Sequence, residues 1–252
     1  MQLRETFQFG KIAASADIWN QSTNRLENSL THPVDLAKLE ADQDPEWTSY
    51  QTAFHKIGFR HAHSYARNFI PVFWSSEIKY TEQWILPGWD CLPQGSCPAH
   101  EEEKALWTTE MIQFAIDMSF PVQENFFPHI PGKKLPMGSI AATLEFADKQ
   151  RQARVLGQEN WRALEDDGSM EPITQTINVT LSMSTEIKKN LPVSGARWLY
   201  LRTEVKSIMD GRMDMEILLC DERLELIAVS QHVAQIIPSA KKHEKGVIKA
   251  KI

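Results

Sequence analysis

Apolar and polar residues alternate along much of the chain, and where the alternation lapses the sequence turns to loop chemistry. Residues 1–22 alternate through Phe7, Phe9, Ile12, Ala14 and Ile18, which predicts one or two short strands. The stretch THPVDLAKLEADQDPEW holds two prolines, five acids and a short Leu36/Leu39 stripe, which predicts a linker with one helical turn. From residue 65 the character changes. ARNFIPVFW and IKYTEQWIL are aromatic and β-branched, as strands are. After the loop LPGWDCLPQGSCPAHEEE, the segment KALWTTEMIQFAIDMSF places Leu106, Trp107, Met111, Ile112, Ala115, Ile116 and Met118 at three- and four-residue spacing. This is the strongest helical signal in the chain. Glu101, Glu102 and Glu103 lie at its start, where the helix dipole favours acids, and Pro121 closes it. Residues 123–170 read as two Pro-containing loops around a predicted strand, SIAATLEFA, followed by the polar segment WRALEDDGSM.

Beyond residue 170 nearly everything predicts strand. ITQTINVTLSMSTEI, ARWLYLRTEVKSIM, GRMDMEILLCD and LELIAVSQHVAQIIP follow one another, with breaks at Asp210-Gly211 and Asp221-Glu222-Arg223. Long antiparallel strands after one apolar helix make an α+β plan, in which the sheet wraps around a long central helix. The segment SAKKHEKGVIKAKI is basic and is expected to be a flexible tail.

Composition narrows the function classes. Of 252 residues, 42% are hydrophobic and 24% charged, an ordinary globular balance. The net charge of −6 argues against non-specific nucleic-acid binding, which relies on basic surface. No apolar run approaches the ~18 residues a spanning helix needs, so no transmembrane segment is expected. MQLRETFQFGK has no apolar core, so no secretory signal is expected there. The three cysteines, Cys91, Cys97 and Cys220, are expected to be free thiols. Phosphate-cradling and nucleophile-elbow motifs are lacking, and His100-Glu101 is not followed by the second histidine of a zinc-protease helix. His61 and His63 form a pair without a third ligand. No metal and no cofactor are therefore expected. The residue that stands out is Asp117, between Ile116 and Met118, where a bare carboxylate is costly unless hydrogen-bonded.

Three stretches together resemble a known family. Ala115-Ile116-Asp117-Met118-Ser119-Phe120-Pro121 is similar to an Ala-Ser-Asp-x-x-Phe-x-Pro pattern. Thr176-Ile177-Asn178 resembles a Thr-Ile-Asp strand opening. Arg197-Trp198-Leu199 through Gly211-Arg212, Asp221 and Leu226-Ile227-Ala228 resembles a Trp-Leu, Gly-Arg, Asp-Gly, Leu-Val-Ala ending. The order and spacing, over roughly 75–238, are similar to those of the thioesterase-like superfamily with the hotdog fold, in particular the C-terminal half of acyl-CoA thioesterase II. The resemblance implies a catalytic Asp at Asp117 and a Thr at Thr176. The family's Gln falls on His232, with Gln231 beside it. Because neighbouring strand residues face opposite sides, one of the two points into the site.

The resemblance implies hydrolysis of an acyl-CoA or related thioester by an Asp-activated water. Phe114, Met118, Phe120 and Trp198 are candidate acyl-chain walls, and Lys188, Lys189 and Arg212 candidate partners of the CoA phosphates. Relatives carry two tandem hotdogs. Here residues 1–22 resemble the remnant strands of a first hotdog, 23–64 a linker, 65–238 the hotdog domain and 239–252 a tail, an incomplete double hotdog that homodimerisation would complete. Two other readings compete: a truncated non-catalytic thioester-binding or interaction protein, and a hotdog hydratase, although no Asp is followed five residues later by the hydratase His. The expected location is cytoplasmic or peroxisomal, since Ala250-Lys251-Ile252 resembles a Ser-Lys-Leu signal.

Overall fold

The computed structural model describes residues 19–20, 25–26, 34–52, 61–73, 80–88, 104–120, 122–125, 138–159, 161–162 and 176–238. The expectations for residues 1–18, for Cys91 and Cys97 and for the tail at 239–252 lie outside these. Trp19–Asn20 (β1) and Arg25–Leu26 (β2) pair as a two-residue antiparallel ribbon.

A seven-stranded sheet organises the rest. Its strands are Trp47–Tyr50 (β3), Ala66–Pro71 (β4), Tyr80–Pro87 (β5), Thr176–Ile187 (β6), Leu199–Met209 (β7), Arg212–Asp221 (β8) and Leu226–Pro238 (β9). They lie in the order β3-β4-β5-β7-β8-β9-β6, and each neighbouring pair is antiparallel. The chain leaves the sheet after β5 and lays a short helix, Ile112–Asp117 (α2), over one face. It re-enters at the far edge as β6. The β7–β8 turn is made by Asp210 and Gly211 at φ 51° and 75°, the two left-handed residues that a tight hairpin demands.

The sheet has two apolar faces. On the inner one Ile85, Leu199, Leu201, Ile217, Leu219 and Ala228 pack against Ile112, Ala115 and Ile116 of α2. On the outer one Phe69, Trp84, Trp198, Tyr200 and Cys220 pack with Leu39 and Trp47. Leu39 belongs to Leu36–Glu40 (α1), the helical turn expected there, capped by Asp35 Oδ1 accepting from the backbone of Ala37 and Lys38 at 3.1 and 3.2 Å. The span expected as a linker therefore supplies both a sheet strand and part of a core. Cys220 is a free, fully buried thiol whose pKa burial pushes well up.

Two helices differ from expectation. The long central helix is confined to a 3₁₀ turn at Thr109–Met111 followed by the six residues of α2. Trp107, which extended the helical spacing, instead makes a two-bond bridge with Ala196: its N–H donates to the Ala196 carbonyl at 2.7 Å and its carbonyl accepts in return at 2.9 Å. Tertiary pairing overrides local periodicity here. The bridge needs Gly195, which sits at φ +83° with no room for a Cβ, since one would stand 2.7 Å from Leu106 Cβ.

The second difference is SIAATLEFA, expected as a strand. It forms the 16-residue helix Ile140–Val155 (α3), with the Ser139 hydroxyl accepting from the Ala142 N–H at 3.2 Å as its cap. Its buried positions are Ile140, Thr143, Ala147, Gln150 and Ala153. They have helical spacing but include two polar residues, so the stripe is hidden from a hydrophobicity pattern. Gln150 is fully buried because its amide bonds are to the backbone: it accepts from Gln51 N–H at 3.0 Å and donates to the Gln51 and Arg162 carbonyls at 2.8 and 2.9 Å. These bonds hold α3 against the β3 end of the sheet.

Candidate active site

Asp117 is the last residue of α2, and it is exposed although Ala115, Ile116 and Met118 around it are buried. Its position is fixed from the sheet. Gln83 of β5 is 1% exposed, and its amide spans the residues just after Asp117: Nε2 donates to the Met118 carbonyl at 3.0 Å and Oε1 accepts from Phe120 N–H at 2.6 Å. Replacing Gln83 with Leu leaves a buried N–H and a buried C=O unpaired. The expected cost is about 2–4 kcal/mol, at roughly 1–2 kcal/mol for each orphaned group. Urea unfolding should show the midpoint lowered at unchanged slope.

Facing α2 is the inner side of β9. His232 points inward and is 4% exposed, whereas Gln231 points outward and donates to Glu216 Oε2 at 2.8 Å. Burial holds the His232 pKa below the usual histidine value, and the nearby Asp117 charge opposes that shift. The ring is anchored by its neighbour two residues back: Nε2 lies 3.0 Å from Ser230 Oγ, which lies 2.7 Å from Thr185 Oγ1 on β6. Cross-strand register sets Met183 of β6 and Met215 of β8 beside His232.

Thr176 is not part of this group. It pairs with Pro238, six residues from His232 along β9 and so about 20 Å away at strand spacing. Its hydroxyl and N–H both donate to Glu124 Oε1, at 2.5 and 3.1 Å. Glu124, which sequence reasoning passed over, is 3% exposed with Oε2 buried and unpartnered, and burial raises its pKa against those two hydrogen bonds. The threonines that share the inner face near His232 are Thr185 and Thr180. Thr180 stands opposite Ala234, about 7 Å along the strand from His232. Between Thr180 and Ser182 the strand carries a bulge. TLSMST does not resemble the Thr-Ile-Asp opening that drew attention to Thr176-Ile177-Asn178, and only strand register sets its threonines near His232.

The remaining candidates divide by face. Met118 is buried in the inner core and Phe114 packs against it, while Phe120 joins Ile70 and Ile140 in a separate cluster. Trp198 belongs to the outer face, its ring 5.2 Å from that of Phe69, and so does not line the α2 side. Arg212 is exposed and stands opposite Gln235, on the outer side with Gln231. Lys188 pairs with Glu186, and Lys189 with Glu225 and Asp221. His63 lies on a 3₁₀ turn, His61–Tyr65, and not on a strand. Among the described residues no cluster of three or more metal-ligating side chains forms, and no helix is long and apolar enough to cross a membrane.

A seven-stranded antiparallel sheet with a short helix over one face and a carboxylate at that helix's end fits the hotdog plan. Residues 96–236 match the acyl-CoA thioesterase C-terminal domain family, and the chain belongs to it. Among characterised proteins, it is 41% identical over 58 residues to the thioesterase-like protein TwmA of Talaromyces wortmannii. That alignment covers 23% of this chain and 17% of the relative. Two solved structures are distantly similar. A putative thioesterase from Syntrophus aciditrophicus aligns with 72% of this chain and 89% of its own at 13% identity and TM-score 0.37. A Haemophilus influenzae thioesterase aligns with 70% and 82% at 14% identity and TM-score 0.29.

Proposed function

We propose that the protein hydrolyses an acyl-CoA thioester, with an Asp-activated water: the Asp117 carboxylate holds and polarises it beside His232. The observation that carries this reading is the juxtaposition of an exposed carboxylate at the end of α2 with a buried imidazole on β9, in a chain of the acyl-CoA thioesterase family. Asp117 accepts a hydrogen bond from the attacking water, and Thr180 supplies a hydroxyl on the same face of β6. Phe114 and Met118 supply apolar surface for the acyl chain. The test is a panel of acyl-CoA chain lengths read by free-thiol release. Turnover on at least one chain length is expected, and none across the panel rejects hydrolysis in favour of a binding role.

Asp117 is open to solvent in the single chain, and β6 beside it is an edge strand. Ile177, Val179, Leu181 and Ile187 are each 40–52% exposed on it. Among the described residues no strand pairs with the outer side of β6, and an edge this apolar favours pairing with another sheet. A second copy placed along β6 covers both the edge and the site, so the working unit is a homodimer. Light scattering at micromolar concentration should give twice the 28.9 kDa chain mass, and Val179→Lys should shift it to the monomer. A wild-type monomer at that concentration contradicts the dimer.

A further inference from the structure

Among the described residues, the hydroxyl pair behind His232 has no part in holding water, yet it is buried and organised. Ser230 is 0% exposed and sits on β9 two residues before His232, on the same face. Its Oγ meets His232 Nε2 at 3.0 Å, Thr185 Oγ1 at 2.7 Å and the Ser184 carbonyl at 3.3 Å. A hydroxyl has one proton to donate and two lone pairs. The carbonyl can only accept, so the serine proton goes to Ser184 O. Ser230 Oγ then accepts from the His232 Nε2–H and from the Thr185 hydroxyl. This direction of bonding selects one neutral tautomer, with the proton on Nε2 and the lone pair on Nδ1. Protonation at Nδ1 leaves every one of these bonds intact.

We propose that His232 is the proton acceptor of the hydrolysis and that Ser230, backed by Thr185, is its positioning residue. The proposal rests on the thioesterase reading above. In the step, the water oxygen bonds to the acyl carbon and one water proton passes to His232. The C–S bond then breaks, the proton returns to the departing sulfur, and the products are the carboxylic acid and the free thiol. The neighbours of the ring suit this role. Met183 on β6 and Met215 on β8 stand opposite it and Thr180 and Thr185 lie alongside, all uncharged. Asp117 on α2 is the charge that acts on it, and it stabilises the imidazolium formed in the step. Burial keeps the resting ring neutral at neutral pH, as a base must be.

The test combines pH–rate profiles with nitrogen NMR of the histidines, for the full chain and for His232→Gln and Ser230→Ala. In the wild type, kcat should rise with pH through one inflection below the ordinary histidine value, and His232 should show the Nε2–H tautomer. His232→Gln should lose that inflection and ~100-fold or more in kcat, the usual scale for a general base. Ser230→Ala should lower kcat at unchanged KM and mix the tautomers, a signature that a merely structural serine would not give. The proposal is overturned if His232→Gln keeps the inflection, or if the wild-type ring carries its proton on Nδ1. The NMR readout needs no turnover, so a wrong tautomer in an active enzyme rejects this proposal alone, whereas absence of hydrolysis rejects the thioesterase reading and this proposal together.

Discussion

Asp117→Asn should fold normally and lose ~100-fold or more in thioester hydrolysis, within the usual range for removing a general base or its equivalent. Asn keeps the shape of the side chain, and the position is exposed, so no packing is lost. Two things disappear. The water loses a charged acceptor, and the imidazolium of His232 loses the Asp117 charge that acts to raise its pKa. The second loss makes a linked outcome. With Asp117 neutralised, the burial effect on His232 stands unopposed, so the ring should titrate at still lower pH. A folded Asp117→Asn protein with wild-type turnover would reject Asp117 as the functional carboxylate.

Trp107→Ala carries the largest expected stability effect, about 3–5 kcal/mol, the range for deleting a buried tryptophan. Trp107 is fully buried, donates its indole N–H to the Ile85 carbonyl at 3.3 Å, and shares a core with Ile112, Ala115 and Ile116 of α2. Its ring also meets Phe114 at 6.4 Å between centroids. Truncation opens a cavity under a helix of only six residues that has little intrinsic stability of its own. Chemical denaturation should therefore show the loss, and residual activity measured well below the new midpoint should be lower too, because α2 places Asp117.

The strands were legible because burial on a sheet face writes a period of two. ARNFIP, YTEQWILP and the four long segments after residue 175 all form strands, and the break at Asp210-Gly211 is a left-handed hairpin turn. The helices were less legible for opposite reasons. Around α2 the apolar run is longer than the helix, because Leu106 and Trp107 serve an extended segment bridged to Ala196. In α3 the buried stripe contains Thr143 and Gln150, so hydrophobicity understates a helix that is held by side-chain amide bonds to backbone. Within the site, Asp117 and the inward orientation of the 231/232 pair were framed by sequence, but the choice of His232 needed strand register. So did the separation of Thr176 from His232, since sequence alone does not give the distance between positions on two paired strands. Trp198 shows a similar limit: it was a candidate acyl-chain wall, and only the sheet's two faces tell that it packs away from α2.

The most direct measurement is a crystal structure of the protein with a non-hydrolysable thioether analogue of an acyl-CoA bound. The account predicts the analogue between α2 and β6, with the position of the scissile sulfur within one water's reach of both the Asp117 carboxylate and the His232 ring, and the acyl chain running past Phe114 and Met118. An analogue seated on the outer face near Trp198 and Arg212, or at Thr176 and Glu124 with Asp117 and His232 untouched, would contradict it.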